Sequence, residues 1–209
     1  MPAGVIVAAA FAAAYLIGSV PFSHVVSRVV SGVDLRDVGI GTVSGSGVGV
    51  TSGFWPMALA GLLDIGKGAL AVLPLAGSRP MAAAVAGGFA VAGHNWSPFL
   101  RAAGGRGISV AIGACAVLAW PGALVLLAGM AVGKVFHQTA LGSVVSQAAL
   151  PPVLAVTDGR VGLVVGLAAV VPMWTKRVLG NRPPAERSFR VFFFRWLYDH
   201  DPGDEAGRP

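Results

Sequence analysis

Long runs without a single charge dictate what this chain can fold into. Residues 1–27, 80–100, 107–133, 135–157 and 161–175 contain no Asp, Glu, Lys or Arg. Runs approaching 20 apolar residues have the length a helix needs to cross a hydrocarbon core, where every backbone amide must be bonded within its own segment. Hydrophobic residues make up 55% of the chain, charged residues 11%, and mean hydropathy is +0.75, which excludes an ordinary soluble domain. The expected fold class is therefore all-α: a polytopic integral membrane helix bundle of about seven spans.

The spans are read near 4–30, 54–77, 80–98, 108–119, 122–137, 143–157 and 160–176. The run 107–133 is either one long span or two short ones broken at Trp120-Pro121-Gly122. Charge arbitrates. With the break, Arg28, Arg36, Arg101, Arg106, Lys134 and the cations from Lys176 onward share one side, leaving Arg79 and Arg160 opposite. That matches the excess of Lys and Arg found in cytoplasmic loops, so the N-terminus is expected outside and the C-terminus cytoplasmic, in a multi-pass protein of the plasma membrane. Residues 108–119 would span only ~18 Å at ~1.5 Å per residue, so this piece is expected to be tilted, buried or partly re-entrant.

One domain is expected, a transmembrane unit over 1–180, followed over 181–209 by a basic, aromatic interfacial segment and tail. Arginines alternate with aromatics from Arg187 to Tyr198, which suits a segment lying among anionic headgroups. Residues 199–209, dominated by Asp, Gly and Pro, read as a disordered end. Lys and Arg number 15 against 9 Asp and Glu. In so apolar a chain this excess marks membrane sidedness, and no nucleic-acid partner is expected. The single Cys115 can build neither a disulfide framework nor a structural metal site, and it reads as a small packing residue.

Polar chemistry is confined to a few places. Gly32, Gly39, Gly41, Gly45, Gly47, Gly49 and Gly53 crowd the first loop, where glycine lets successive N–H groups converge on an anion, with hydroxyls from Thr42, Ser44, Ser46 and Thr51 alongside. A flexible polar linker is the alternative for this loop. Asp64 and Lys67, three residues apart on one helical face inside a span, are functional candidates because ionisable groups in a membrane usually face an interior or an aqueous cavity. A structural ion pair is the alternative there. The segment from Gly93 to Gly107 joins a titratable His94 to a Gly104-Gly105-Arg106-Gly107 turn that opens a span, where a helix N-terminus and a permanently charged fork would hold phosphate. His94 reads equally as a proton shuttle or as a hydrogen-bonded span end.

These motifs together resemble the bacterial acyl-phosphate-dependent glycerol-3-phosphate acyltransferases, over nearly the whole chain. The carriers are Ala14 to Phe22, Gly32 to Gly39, Asp64-Ile-Gly-Lys67-Gly68, and Gly93 to Gly107. The resemblance implies seven spans and transfer of a fatty acyl group from acyl phosphate to the 1-hydroxyl of glycerol 3-phosphate at the cytoplasmic face. The product is lysophosphatidic acid for phospholipid synthesis, formed without metal or coenzyme A or other cofactor, beside membrane lipids. Catalytic roles fall on Lys67, His94 and Asp64. Phosphate binding falls on Gly39, Gly41, Thr42, Ser46, Gly104, Gly105, Arg106, Gly107 and Ser143.

The first loop departs from the family pattern: Ile40 stands for a serine, Thr42 and Gly47 for asparagines, and Val50 where an arginine is expected. Arg106 replaces a lysine, and a polar His-Arg-Glu-Asn segment is missing around Val171 to Trp174. Two other classes stay open at this level: a non-catalytic relative that binds a phosphorylated lipid or a partner, and a small transporter. No Ser-His-Asp set shares a loop, so direct attack by the glycerol hydroxyl is expected rather than an acyl-enzyme, with the displaced phosphate or His94 taking the proton.

Overall fold

A computed structural model describes residues 3–184 and 186–202. Among these residues the chain is all-helical, with no strand. The first apolar run forms α1 (Ala3–Ser19) and α2 (Phe22–Ser31) instead of one unbroken helix, because Pro21 has no amide to donate and ends the ladder at Val20. The glycine-rich loop holds a helix that the sequence reading did not anticipate, α3 (Gly45–Ser52), started by Ser44, whose side chain accepts from the Gly47 amide. Then follow α4 (Phe54–Ala76), α5 (Pro80–Asn95), α6 (Ile108–Leu118), α7 (Trp120–Val135), α8 (Thr139–Thr157), α9 (Gly159–Leu179) and α10 (Phe189–Tyr198). The run 107–133 is thus two helices, parted at Ala119, with Pro121 in the first turn of α7.

Among the described residues, four helical stretches are long and apolar enough to cross a membrane: Gly4–Ser31, α4, α8 and α9. Their outward faces are apolar and bare, as with Leu62 at 67% and Val156 at 87% exposure. Water would not tolerate such a belt; lipid does. The core between the helices is built from Val72, Val91, Val110, Leu126, Leu150, Leu154 and Met173. α6, cut short at Ala119, is enclosed: Val110 to Cys115 are buried without interruption, with α4, α5 and α7 around them. α4 and α6 cross backbone to backbone, since a Cβ on Gly68 would strike the Val110 carbonyl and one on Gly113 the Ile65 carbonyl. Small residues at such crossings are how membrane helices gain contact where no hydrophobic effect drives them together.

A second, smaller cluster of Leu35, Val43, Val48, Ala60 and Leu100 lies under the first loop and ties it to the bundle. Next to it Asp34 takes Arg36 through both oxygens, at 3.0 and 2.7 Å, and Arg28 at 3.0 Å. The Arg36 guanidinium holds the Asp34 carboxyl well below the usual carboxylate range.

α10 packs against α9 and α8 through Val191 and Arg195. Residues 199–202, read from sequence as part of a disordered end, are folded back. Asp199 meets Arg106 and Asp201 pairs with Arg195, because buried guanidinium groups in an apolar bundle need carboxylates. Residues 203–209 of that expected disordered end lie outside the described residues.

Candidate functional site

The inner face of α4 carries Asp64 and Lys67, 1% and 4% exposed. The Lys67 ammonium sits 2.8 Å from Asp64 Oδ1, 2.6 Å from the Val20 carbonyl and 3.0 Å from His94 Nδ1. The carbonyl and the imidazole take hydrogen bonds, and the carboxylate is an ion-pair partner. Two of them come from other segments: His94 from the last turn of α5, and the Val20 carbonyl from the break that Pro21 imposes. Ser23, in the first turn of α2, donates to Asp64 Oδ2 at 2.9 Å and holds the carboxylate from its other side. With Lys67 protonated, its ammonium can only donate, which assigns the acceptor role to Nδ1 of His94 and the ring proton to Nε2.

That Nε2 faces Gly105. A Cβ on Gly105 would collide with it and lie 2.5 Å from the Val43 carbonyl, so no other residue fits between imidazole and first loop. The Gly104 carbonyl accepts from the Val43 amide at 3.1 Å, and the Gly105 amide donates to the His94 carbonyl at 3.2 Å. Asn181 then stitches the two glycine-rich loops together. Its Nδ2 donates to the Gly41 carbonyl at 2.9 Å and the Gly104 carbonyl at 2.8 Å, while its Oδ1 accepts the Gly104 amide at 3.1 Å. Gly41 and Gly107 turn the chain with φ of 73° and 77°, a backbone other residues rarely adopt. A narrow recess opens here, lined by Ser19, Ser23, Val43, His94, Ser97 and Gly105. Beside it the Thr42 hydroxyl is buried with no partner.

Lys67, Asp64, His94, Gly41, Gly104 and Gly105 are therefore brought together from segments distant in sequence. Arg106, 8% exposed, instead donates to the Lys176 carbonyl at 2.8 Å and lies 2.6 Å from Asp199. Gly39 and Ser46 are exposed, Ser46 sharing a 2.9 Å hydrogen bond with Ser44. Ser143 lies inside α8, where its hydroxyl accepts from Gln147 at 2.9 Å. The sequence reading passed over Ser23, Asn181 and Asp199. Asn181, directly after a Gly180 with positive φ, carried a turn signal, whereas nothing local marked Ser23 or Asp199.

Residues 8–180 match the family model described as glycerol-3-phosphate acyltransferase. The chain is similar to the glycerol-3-phosphate acyltransferase of Parasynechococcus marenigrum, with 36% identity over 78% of this chain and 79% of the relative. It is also similar to that of Jannaschia, with 39% identity over 80% of this chain and 83% of the relative. Among solved structures it resembles an integral membrane glycerol 3-phosphate acyltransferase in its glycerol 3-phosphate form, with a TM-score of 0.74 and 25% identity over 82% of this chain and 88% of the other.

Proposed function

The chain belongs to the glycerol-3-phosphate acyltransferase family, and on that premise we propose that it moves a fatty acyl group from acyl phosphate to the 1-hydroxyl of glycerol 3-phosphate, giving lysophosphatidic acid. The observation that carries this reading is the contact chain from Asp64 through Lys67 and His94 to the Gly104-Gly105 turn, beside the recess. It puts a charged pair and a ring N–H beside the narrow recess and against the glycine turn to which the family resemblance assigns phosphate binding.

In the step itself the glycerol oxygen attacks the acyl carbonyl carbon, the carbon–oxygen bond to phosphorus breaks, and inorganic phosphate leaves. With its proton on Nε2, His94 is a donor toward the recess, so the hydroxyl proton passes to the departing phosphate. Lys67, held on three sides, sets the ring and supplies positive charge where negative charge builds. Catalysis on this reading is positioning plus electrostatics, with Gly39, Gly41, Thr42, Ser46, Arg106, Gly107 and Ser143 as further candidates to meet the substrate's phosphate and acyl ends.

We propose seven crossings, formed by α1–α2, α4, α5, α6, α7, α8 and α9, with the N-terminus outside, the C-terminus cytoplasmic, and the site on the cytoplasmic face of the plasma membrane. The hydrogen bonds of Asn181 to Gly41 and Gly104 support it by gathering three connecting segments at one end, and that of Arg177 to the Ala140 carbonyl at 3.0 Å adds the first turn of α8. Those segments hold most of the basic residues. The exposed Phe189 and Phe193 of α10 give the tail its face for the headgroup layer.

The test is acyl transfer by the purified protein in lipid, supplied with acyl phosphate and labelled glycerol 3-phosphate. Wild type makes lysophosphatidic acid, and Lys67→Ala and Arg106→Ala lose it by about 10²-fold or more. Folded wild-type protein that makes no product overturns the reading.

A further inference from the structure

Arg106 shares its surroundings with more positive charge than the fold neutralises. Lys176 and Arg177, in the last turn of α9, are 1% and 3% exposed, and both lie within electrostatic range of Arg106. Lys176 has neutral partners, the Ala102 carbonyl at 3.2 Å and the Trp96 ring at 5.4 Å. Arg177 donates to the Ala140 carbonyl at 3.0 Å and the Leu197 carbonyl at 3.3 Å. Among the described residues, the carboxylate set against this group is Asp199. Nε of Arg106 and Nε of Arg177 are buried without partners. Two orphaned guanidinium donors and an uncompensated ammonium are an expensive arrangement in an apolar bundle unless a larger anion occupies it during function.

Asp199 holds its place poorly. It caps α10 with a left-handed φ of 64°, which a non-glycine residue adopts at a cost. Its Oδ1 lies 2.6 Å from Arg106, yet the approach lacks hydrogen-bond alignment. Its side chain is 26% exposed, so the pair can be reached from outside. A phosphate monoester brings up to two charges and three acceptor oxygens where the carboxylate brings one charge and two.

We propose that Arg106 and Arg177, with Lys176 behind them, form a phosphate subsite that the C-terminal segment occupies with the Asp199 carboxylate, so that docking of this segment and binding of a phosphate-bearing ligand exclude each other. The assignment of that ligand as substrate rests on the acyltransferase reading. The subsite itself does not.

Two measurements on the full chain in lipid test it, neither needing turnover. Amide hydrogen exchange over residues 189–201 is followed as inorganic phosphate, and in parallel glycerol 3-phosphate, replaces chloride at constant ionic strength; phosphate speeds exchange in this segment if it displaces Asp199. Calorimetric titration of phosphate into wild type and Asp199→Asn gives binding about fivefold tighter in the variant, the size of a modest coupling between sites. Exchange indifferent to phosphate, or a variant that binds no better, makes Asp199 a fixed counter-ion and overturns the proposal. If phosphate loosens the segment but no acyl transfer occurs, the subsite stands and the catalytic reading fails.

Discussion

Replacing Gly105 by alanine tests the contact between the third loop and His94 most directly. The added Cβ would lie 2.5 Å from the Val43 carbonyl oxygen, where ordinary contact begins at 3.4 Å, and it would collide with His94 Nε2 on the other side. Neither neighbour is free to yield. Val43 is tied to the Gly104 carbonyl by its own amide, and the imidazole is held by Lys67 at 3.0 Å. Relief therefore needs about 1 Å of movement in the ring or the turn. A misplacement of that size costs roughly 10²-fold in rate, or about 2.7 kcal/mol at 1.36 kcal/mol per decade. Overpacking adds about 1–3 kcal/mol of destabilisation. The assay is initial-rate acyl transfer in lipid beside thermal unfolding. Gly61→Ala serves as control, since nothing lies within 4 Å of the Cβ it would add, and it should turn over as wild type does. A Gly105→Ala enzyme with near wild-type rate and unfolding temperature would refute the placing of His94 against this turn.

Asn181→Ala removes three hydrogen bonds that join the Gly41 and Gly104 backbones. It is expected to cost about 1–3 kcal/mol of stability and to speed amide exchange in both loops, measured by unfolding and hydrogen exchange. For Asp34, the folded carboxyl titrates below its unfolded value of about 3.9, so its contribution is fully present above that pH and is lost as pH falls through the lower folded value. Acid unfolding below about pH 4 should therefore flatten in Asp34→Asn, with the variant less stable than wild type at neutral pH. Equal acid limbs in the two proteins would show that the Asp34 ion pairs do not hold the first loop.

Some features of this protein were decided by residues acting locally. Charge-free runs specify helices whatever surrounds them, because an unbonded backbone amide has no partner in lipid. Pro121 parts α6 from α7 for a local reason too: a missing amide cannot be restored by distant contacts. Asp64 and Lys67, three apart, had to share a helical face.

What the local pattern could not convey was which backbone each side chain would meet. The first helix was expected to run unbroken through residue 30, although Pro21 stood in plain view. Its consequence, a Val20 carbonyl released to Lys67, depends on α4 packing beside that break. The same holds for α3: Ser44 at its start is a local signal, but glycine-rich segments form stable helices only where packing compensates, here through the buried Val48 in the cluster under the loop. Arg106 was legible as an anion-binding group, but its meeting with Asp199 was not. That pairing closes a loop of more than 90 residues and exists only because α9 and α10 fold the tail back over the Gly104-Gly107 turn. Period and composition determine which segments become helices and which faces are apolar. Long-range packing alone decides which carbonyl, carboxylate or imidazole ends within 3 Å of a buried charge, because in a dry interior each charge takes whatever partner the fold delivers to it.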